Sequence, residues 1–231
     1  MRITPLKLSG HSFRCRIHEK VHIPLDPHQH DSWRAGYLEG RLFRKCLECP
    51  GSMDELVRSL KLSTGSQVAD VGCHEGYMTV KLSNIVGVSG KVYAVDVEQQ
   101  KLDRLKKILE TRGINNVIPT KGEFDNPLLP KNLLDGVLIL DTYHEMDQHD
   151  QMLLHIREAL KAGGRLVICE AIAESRRKSP REDQERKHEL GMKYALEDLE
   201  KAGFTIVRRQ DPFVDRTKEK GDKMWIIVAK K

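Results

Sequence analysis

Short apolar runs alternate with amphipathic helical patterns from residue 67 to the end of the chain. The apolar runs lie at 67–71, 91–96, 116–120, 137–140, 165–170, 204–209 and 224–229. Most of these runs are followed by a helical pattern, at 77–86, 98–112, 149–161 and 194–202. Strands joined through single helices pair in parallel, because the helix carries the chain back across one face of the sheet. The pattern therefore predicts an α/β fold with a doubly wound, seven-stranded, mostly parallel sheet.

The first 60 residues do not follow this alternation. Residues 1–31 show no regular hydrophobic period and contain five of the ten histidines of the chain. A helical pattern begins at Ser32 and stops near Cys49, and a shorter one covers 52–60. We therefore divide the chain into an N-terminal arm with a helical cap, at residues 1–60, and one domain at 61–231. We expect the arm and cap to form a lid that helps to select the substrate.

Composition excludes several classes of protein. The 231 residues contain no apolar run near the ~20 residues of a membrane span, and the first ten residues lack the apolar core of a signal peptide. Five scattered cysteines are typical of reduced thiols and predict a cytoplasmic protein. The lack of a membrane span predicts that the membrane is not a partner. The net charge of +5 comes from basic residues interleaved with acids, which disfavours a nucleic-acid partner. None of these features indicates the oligomeric state.

A glycine-containing loop follows the first apolar run, in the segment Asp70-Val-Gly-Cys-His-Glu-Gly76. Glycines let a ligand approach the backbone closely, and the start of the next helix offers free N–H groups. In open α/β sheets, ligands bind at the carboxyl ends of the strands. Asp96 ends the second apolar run and can accept hydrogen bonds from both hydroxyls of a ribose. Two acids at successive strand ends beside this loop predict a site for an adenosine-containing ligand.

Five segments resemble, in order, the motifs of class I S-adenosylmethionine-dependent methyltransferases. They are Asp70–Gly76, Asp96, Gly122–Phe124, Leu134–Asp141 and the turn Leu160-Lys-Ala-Gly-Gly-Arg-Leu166. The resemblance covers residues 62–231 and is to a bacterial branch close to the ubiquinone and arsenite methyltransferases. It implies a Rossmann-like fold that ends in a β-hairpin with an antiparallel last strand. It also implies transfer of a methyl group from S-adenosylmethionine.

The same resemblance implies which residues contact the cofactor. Asp70, Gly72, His74 and Gly76 would line the methionine end of S-adenosylmethionine, and Asp141 would lie near its ammonium group.

At the other end of the cofactor, Asp96 would bind the ribose hydroxyls. Glu123 would accept a hydrogen bond from the adenine amino group, and Phe124 would pack on the ring.

An NAD(P)-dependent oxidoreductase is the alternative enzyme class. Its G-x-G-x-x-G fingerprint needs a middle glycine for the pyrophosphate, and this chain has His74 at that position. Glu75 would repel a pyrophosphate, whereas S-adenosylmethionine is a cation without phosphate. A non-catalytic protein that binds the cofactor or RNA is a second alternative, suggested by His74 and the basic arm.

The segment Asp141-Thr-Tyr-His-Glu145 follows the fourth strand, where the resemblance places groups that face the transferred methyl. Methyl transfer requires the nucleophile, the methyl group and the sulfur to be held in line. His144 could remove a proton from the acceptor near neutral pH, oriented by Glu145 or Tyr143. We therefore predict His144, Glu145 and Tyr143 as catalytic residues acting on a small-molecule acceptor. His188 begins a second His-Glu pair and is hypothesised to lie near the same pocket.

The sequence predicts no metal ligands. Cys46 and Cys49 form a C-x-x-C pair without a second pair, and the histidines of the arm lack a period that would fix their geometry. Cys73 and Cys169 do not resemble the free pair that arsenite methylation would need.

Overall fold

The structure is a computed structural model that describes residues 13–14 and 52–231. Its strands are β1 (Phe13–Arg14), β2 (Gln67–Val71), β3 (Lys91–Asp96), β4 (Val117–Lys121), β5 (Leu134–Leu140), β6 (Leu160–Ile172), β7 (Thr205–Arg216) and β8 (Asp222–Lys230). Its helices are α1 (Ser52–Leu60), α2 (Tyr77–Val86), α3 (Gln99–Arg112), α4 (His149–Ala159), α5 (Arg181–Glu185) and α6 (Met192–Lys201). Short 3₁₀ turns lie at Tyr143–Glu145 and Glu174–Arg176.

All the described strands belong to one sheet with the order β1-β7-β8-β6-β5-β2-β3-β4. The pairs β2–β3, β3–β4, β2–β5 and β5–β6 are parallel, and β8 is antiparallel to both β6 and β7. This confirms the doubly wound, mostly parallel sheet of seven strands with an antiparallel last strand. The two-residue strand β1 adds a parallel pair at the β7 edge. The order of connection reverses between β2 and β5, which opens a crevice at their carboxyl ends.

Helices cover both faces of the sheet because its central strands are apolar on both sides. In β5, Val137 and Ile139 face the core shared with α4 and α6, whereas Leu138 and Leu140 face the core shared with α1 and α2. All four side chains are buried. A strand that is apolar at successive positions suits the centre of a parallel sheet, where neither face meets water.

Helix α1 packs directly against the sheet. Leu56 and Leu60 are fully buried, and the helix contacts β5, β6 and β8. The predicted helical pattern from Ser32 to Cys49 lies outside the described residues. The division of the chain at residue 60 stays a prediction, although α1 shares its core with the domain that follows.

The last hairpin is longer than its sequence pattern indicates. The apolar run at 204–209 predicts a short strand, but β7 continues to Arg216. Register shifts between Gln210 and Val214 accommodate Pro212, since a bulge tolerates a residue without an N–H donor. Beyond the bulge, the buried guanidinium of Arg216 makes two hydrogen bonds to Asp222, at 2.7 and 2.9 Å. This paired charge holds the end of the hairpin together.

The segment between β6 and α6 is tied to the sheet through the backbone of Leu190. Trp225 of β8 is fully buried, and its indole N–H donates to the carbonyl oxygen of Leu190 at 2.7 Å. The Leu190 N–H donates in turn to the carbonyl of Ala171 in β6. The segment therefore has a fixed attachment just before α6.

Within residues 52–231, no helix has both the length and the apolar character of a membrane span.

We expect Trp225→Phe to lower the free energy of unfolding by about 2–4 kcal/mol, because it leaves a buried carbonyl unpaired and a small cavity. Urea denaturation followed by circular dichroism measures this. Tyr93→Phe is the matched control, since its hydroxyl lies 3.3 Å from Gln67 in a half-buried position and should cost under about 1 kcal/mol. Equal losses in the two variants would contradict the anchoring role of Trp225.

Candidate active site

Four carboxylates lie at the carboxyl ends of four neighbouring strands. Asp70 lies in β2, Asp96 ends β3, Asp141 follows β5 and Glu170 lies in β6. These strands are adjacent in the order β6-β5-β2-β3. The sheet therefore collects negative charge around the crevice where its order of connection reverses.

The loop between β2 and α2 has three residues in the left-handed region. Gly72, His74 and Gly76 have φ values of 79°, 51° and 85°. The Gly72 N–H donates to the carbonyl of Val95 at 2.9 Å, which draws the loop towards β3. A Cβ at Gly72 would come within 2.3 Å of the Thr142 side chain. Only glycine therefore allows the loop to pack against the segment after β5.

His74 occupies a position whose conformation favours glycine. Its N–H donates to Asp96 Oδ2 at 2.9 Å, and its side chain is exposed. The neighbouring Glu75 pairs with Arg104 at 2.9 Å. Because Arg104 offsets its charge, Glu75 repels a phosphate group less than the sequence alone indicates.

Asp96 joins the glycine loop to the start of α3. Its Oδ2 accepts the N–H of His74 and its Oδ1 accepts the N–H of Glu98, each at 2.9 Å. A carboxylate offers about four acceptor positions, so these two bonds leave acceptor capacity on both oxygens. The side chain is 6% exposed. Asp96 is therefore held rigidly and can still accept hydrogen bonds from a ligand.

Asp70 is a buried acid at the base of the crevice. Its Oδ2 accepts the hydroxyl of Thr79 at 2.6 Å. Burial raises the pKa of Asp70 to about 6, against the opposing effect of its hydrogen bonds with Thr79. The ionised form is therefore costly in the free protein, and a bound cation would stabilise it.

Asp141 follows β5 with a left-handed φ of 52°, and its N–H donates to the carbonyl of Cys169 at 2.8 Å. Burial and the charge of Glu170 raise the pKa of Asp141 to about 6. Asp141 thus adds a second acid whose negative charge a cationic ligand would stabilise.

Glu123 and Phe124 lie beside the end of β3. The Gly122 N–H donates to the carbonyl of Asp96 at 3.1 Å, and the Glu123 N–H donates to that of Asn126 at 2.7 Å. Both side chains are exposed, and Phe124 is 71% accessible. An aromatic ring this exposed is available to a planar ligand. The predicted contacts of both residues with adenine stay a prediction.

Glu145 borders the same crevice from the β5 side. Burial tends to lower the pKa of Lys101 on α3. The hydrogen bond with Glu98 and the charges of Asp96 and Glu145 outweigh this effect, so that the pKa of Lys101 is raised. Lys101 therefore lies within electrostatic reach of both sides of the crevice.

His144 is oriented by Glu170, a residue to which the sequence analysis assigned no role. His144 Nδ1 lies 2.8 Å from Glu170 Oε2, and both side chains are buried. The other oxygen, Oε1, accepts the N–H groups of Thr142 and Tyr143 at 2.6 and 2.5 Å. Glu170 ends an apolar run, as Asp70 and Asp96 do, and this signal could have indicated it.

The environment of His144 does not favour the predicted base near neutral pH. Burial opposes protonation, but the hydrogen bond to Glu170 and the charges of Glu170, Asp141 and Glu145 outweigh it and raise the pKa of His144 to about 9. The ring of the free protein therefore carries protons on both nitrogens at pH 7, and Nε2 donates rather than accepts.

Tyr143 points away from the crevice. Its ring is fully buried in the core, and its hydroxyl donates to Asp198 Oδ2 at 2.9 Å. Arg181 donates to the same oxygen at 2.8 Å. Tyr143 therefore does not orient His144 as predicted, because its hydroxyl is bound to α6. Glu170 orients His144 instead.

His188 lies beside His144, as the sequence analysis hypothesised. The two rings are 5.7 Å apart and nearly perpendicular. Glu145 Oε1 lies 3.8 Å from His144 Nε2 and 3.5 Å from His188 Nδ1. The acceptor side of the crevice therefore combines two histidines and one carboxylate.

Comparisons with known proteins agree with this geometry. A family model described as a methyltransferase domain matches residues 68–164. A probable cobalt-precorrin-6B C(15)-methyltransferase (decarboxylating) of Saccharolobus solfataricus is 28% identical over 144 residues, which cover 60% of this chain and 71% of that protein. A ubiquinone/menaquinone biosynthesis C-methyltransferase of Saccharophagus degradans is 29% identical over 108 residues, which cover 46% of this chain and 43% of that protein.

The fold is also found among solved structures. The crystal structure of a SAM dependent methyltransferase from Aquifex aeolicus matches with a TM-score of 0.66 and 24% identity, over 83% of this chain and 97% of that chain. The domain match, the curated relatives and the shared fold support a class I S-adenosylmethionine-dependent methyltransferase, similar to the ubiquinone/menaquinone C-methyltransferases.

Proposed function

We propose that the chain transfers the methyl group of S-adenosylmethionine to a small-molecule acceptor held beside His144. The observation that carries this proposal is the set of four carboxylates at the crevice, on the strands that end there. S-adenosylmethionine supplies an activated methyl group on a sulfonium cation. A crevice lined by acids suits that cation and the cofactor's ammonium group, and it does not suit a pyrophosphate.

On the cofactor side, the rigid carboxylate of Asp96 would accept the ribose hydroxyls. The exposed Glu123 and Phe124, which follow the end of β4 beside Asp96, would contact the adenine. Asp70 and Asp141 would lie at the methionine end, where a bound cation would stabilise their buried negative charges.

Gly72, His74 and Gly76 would shape the loop around the methionine end of the cofactor. The N–H of His74 is already bound to Asp96. Its contribution is therefore to hold the ribose-binding carboxylate, rather than to donate to the ligand.

On the acceptor side, His144 and Glu145 would face the transferred methyl. Tyr143 would act at a distance, by fixing the turn that carries both residues through its bond to Asp198. The Glu170 carboxylate would keep Nδ1 of His144 occupied, so that Nε2 is the nitrogen presented to the acceptor.

We also infer a cytoplasmic location and an acceptor other than nucleic acid. In the described part of the chain, Cys73 and Cys169 are buried free thiols, as expected of a protein in a reducing compartment. Along the sequence, basic residues are interleaved with acids, which disfavours an extended basic patch of the kind that tracks phosphates.

We expect Asp96→Ala to weaken the binding of S-adenosylmethionine on the order of 100-fold, because two charge-assisted hydrogen bonds to the ribose are lost. Isothermal titration calorimetry with S-adenosylmethionine and its demethylated product measures this. The affinity of Asp96→Asn for S-adenosylmethionine should lie between those of the native chain and Asp96→Ala, since its amide oxygen still accepts a hydrogen bond.

The matched control is Asp135→Ala. Asp135 likewise accepts a backbone N–H, that of Gln67 at 2.8 Å, but it lies at the opposite end of the strands. The control variant should bind the cofactor as the native chain does. The same titration with NADPH tests the oxidoreductase alternative. Binding of NADPH without binding of S-adenosylmethionine would overturn the proposed function.

We expect Asp70→Asn to stabilise the free protein while weakening cofactor binding. The pKa of Asp70 rises from 3.8 to about 6 on folding, so stability is lost as the pH rises through this range and stays lower above it. At pH 7.5 the variant should gain on the order of 2–3 kcal/mol, and at pH 4 it should gain almost nothing.

Chemical denaturation at the two pH values, with calorimetry of cofactor binding at pH 7.5, checks both effects. A variant that is no more stable at pH 7.5, or one that binds the cofactor as tightly as the native chain, would contradict this account of Asp70.

A further inference from the structure

Three side chains with metal-binding atoms meet just after β5. His144, Glu145 and His188 each offer one ligand atom, and these three atoms lie within 4.8 Å of one another. Glu145 Oε1 lies 3.8 Å from His144 Nε2 and 3.5 Å from His188 Nδ1. Both separations exceed the 2.7–3.2 Å of a good N–H···O hydrogen bond. The three atoms therefore face one another across a gap.

The size of this gap suits a small divalent ion. Zinc lies about 2.0–2.1 Å from histidine nitrogens and about 2.0–2.2 Å from carboxylate oxygens, which places neighbouring ligand atoms of a tetrahedral site about 3.3 Å apart. The two separations are larger than this by only a few tenths of an ångström. Glu145 and His188 are more than half exposed, so their side chains can close that difference.

The buried carboxylate behind His144 completes the pattern. Histidines that bind metals almost always donate their other ring N–H to a carboxylate, a carbonyl or water. Here Nδ1 of His144 is bound to Glu170, and Glu170 is itself fixed by the N–H groups of Thr142 and Tyr143. This arrangement leaves Nε2 of His144 facing the gap, where a bound metal ion would displace the proton that Nε2 carries in the free protein.

The backbone that carries His188 is also fixed. The next residue, Glu189, forms an ion pair with Arg176 and accepts the N–H of Ala173 at 3.0 Å. The His188 N–H donates to the carbonyl of Glu185 at 2.9 Å. The exposed ring of His188 therefore extends from an anchored segment.

Two other clusters in the described part of the chain are weaker candidates. In the cluster of Asp141, His144 and Glu170, the Glu170 oxygens are already used by three donors. In the cluster with His149 and Asp150, the third residue, Asp198, already accepts from Tyr143 and Arg181.

We propose that His144 Nε2, Glu145 and His188 Nδ1 bind one divalent transition-metal ion, with Glu170 holding His144 in place. Two imidazoles and one carboxylate suit zinc, and three protein ligands leave a coordination position open. A role for the ion in catalysis rests on the proposed methyl transfer: there the ion would bind the nucleophilic atom of the acceptor. The metal site itself does not depend on that function.

The test uses the full chain, stripped with a chelator and titrated with Zn²⁺ by calorimetry, with the bound metal counted by elemental analysis. We expect one tight equivalent in the native chain and at least a 100-fold weaker affinity in His188→Ala. Glu170→Gln should weaken binding 10–100-fold through the lost support of His144. Thermal melts verify that each variant is folded.

His155→Ala is the matched control, because His155 lies on α4 and pairs with Glu158. It should keep the tight equivalent. A native chain without a tight equivalent, or a His188→Ala variant that retains it, overturns the proposal. Titration of the same samples with S-adenosylmethionine separates the two ideas: cofactor binding without zinc binding defeats only the metal site, and zinc binding without cofactor binding defeats only the proposed function.

Discussion

The carboxylate of Glu170 organises the acceptor side of the crevice. A buried carboxylate without partners would cost several kcal/mol, and this one is offset by three donors from the segment after β5. The same three bonds fix the turn that carries Tyr143, His144 and Glu145. Strand pairing between β5 and β6 brings Glu170 level with that turn, since Leu140 pairs with Cys169. The position of His144 therefore depends on the register of two neighbouring strands.

The remaining acids follow from the same topology. Parallel strands bring their carboxyl ends to one edge, so acids at the ends of β2, β3 and β5 meet at the crevice although they are distant in sequence. Burial raises the pKa values of Asp70 and Asp141, and the neighbouring acids Asp96 and Glu170 add to the effect. The ionised carboxylates are therefore destabilised in the free protein, and a cationic ligand would stabilise them. The charge of the crevice thus matches a sulfonium cofactor.

The sequence was sufficient to predict those features of the fold that depend on local patterns. The alternation of apolar runs and helical patterns predicted the parallel sheet, and the loop from Asp70 to Gly76 marked the crevice. The extension of β7 to Arg216 was not predictable, because it depends on a bulge around Pro212 and on the ion pair with Asp222.

Contacts between distant segments were the least predictable part of the site. His144 and Glu170 are separated by 26 residues, and only the strand register shows that they meet. The same limit explains Tyr143, whose sequence neighbours suggested a catalytic role. Its hydroxyl is bound to Asp198 on a helix 55 residues away. Periodicity gives no indication of such a contact, whereas the repeated His-Glu pair did point correctly to His188.

Native mass spectrometry of the freshly purified chain tests the central claim most directly. We expect the folded protein to carry S-adenosylmethionine or its demethylated product at up to one equivalent, and added cofactor of the other form should displace it. A chain that instead carried a nicotinamide dinucleotide, or that bound neither form of the sulfur cofactor when it was supplied in excess, would contradict the account.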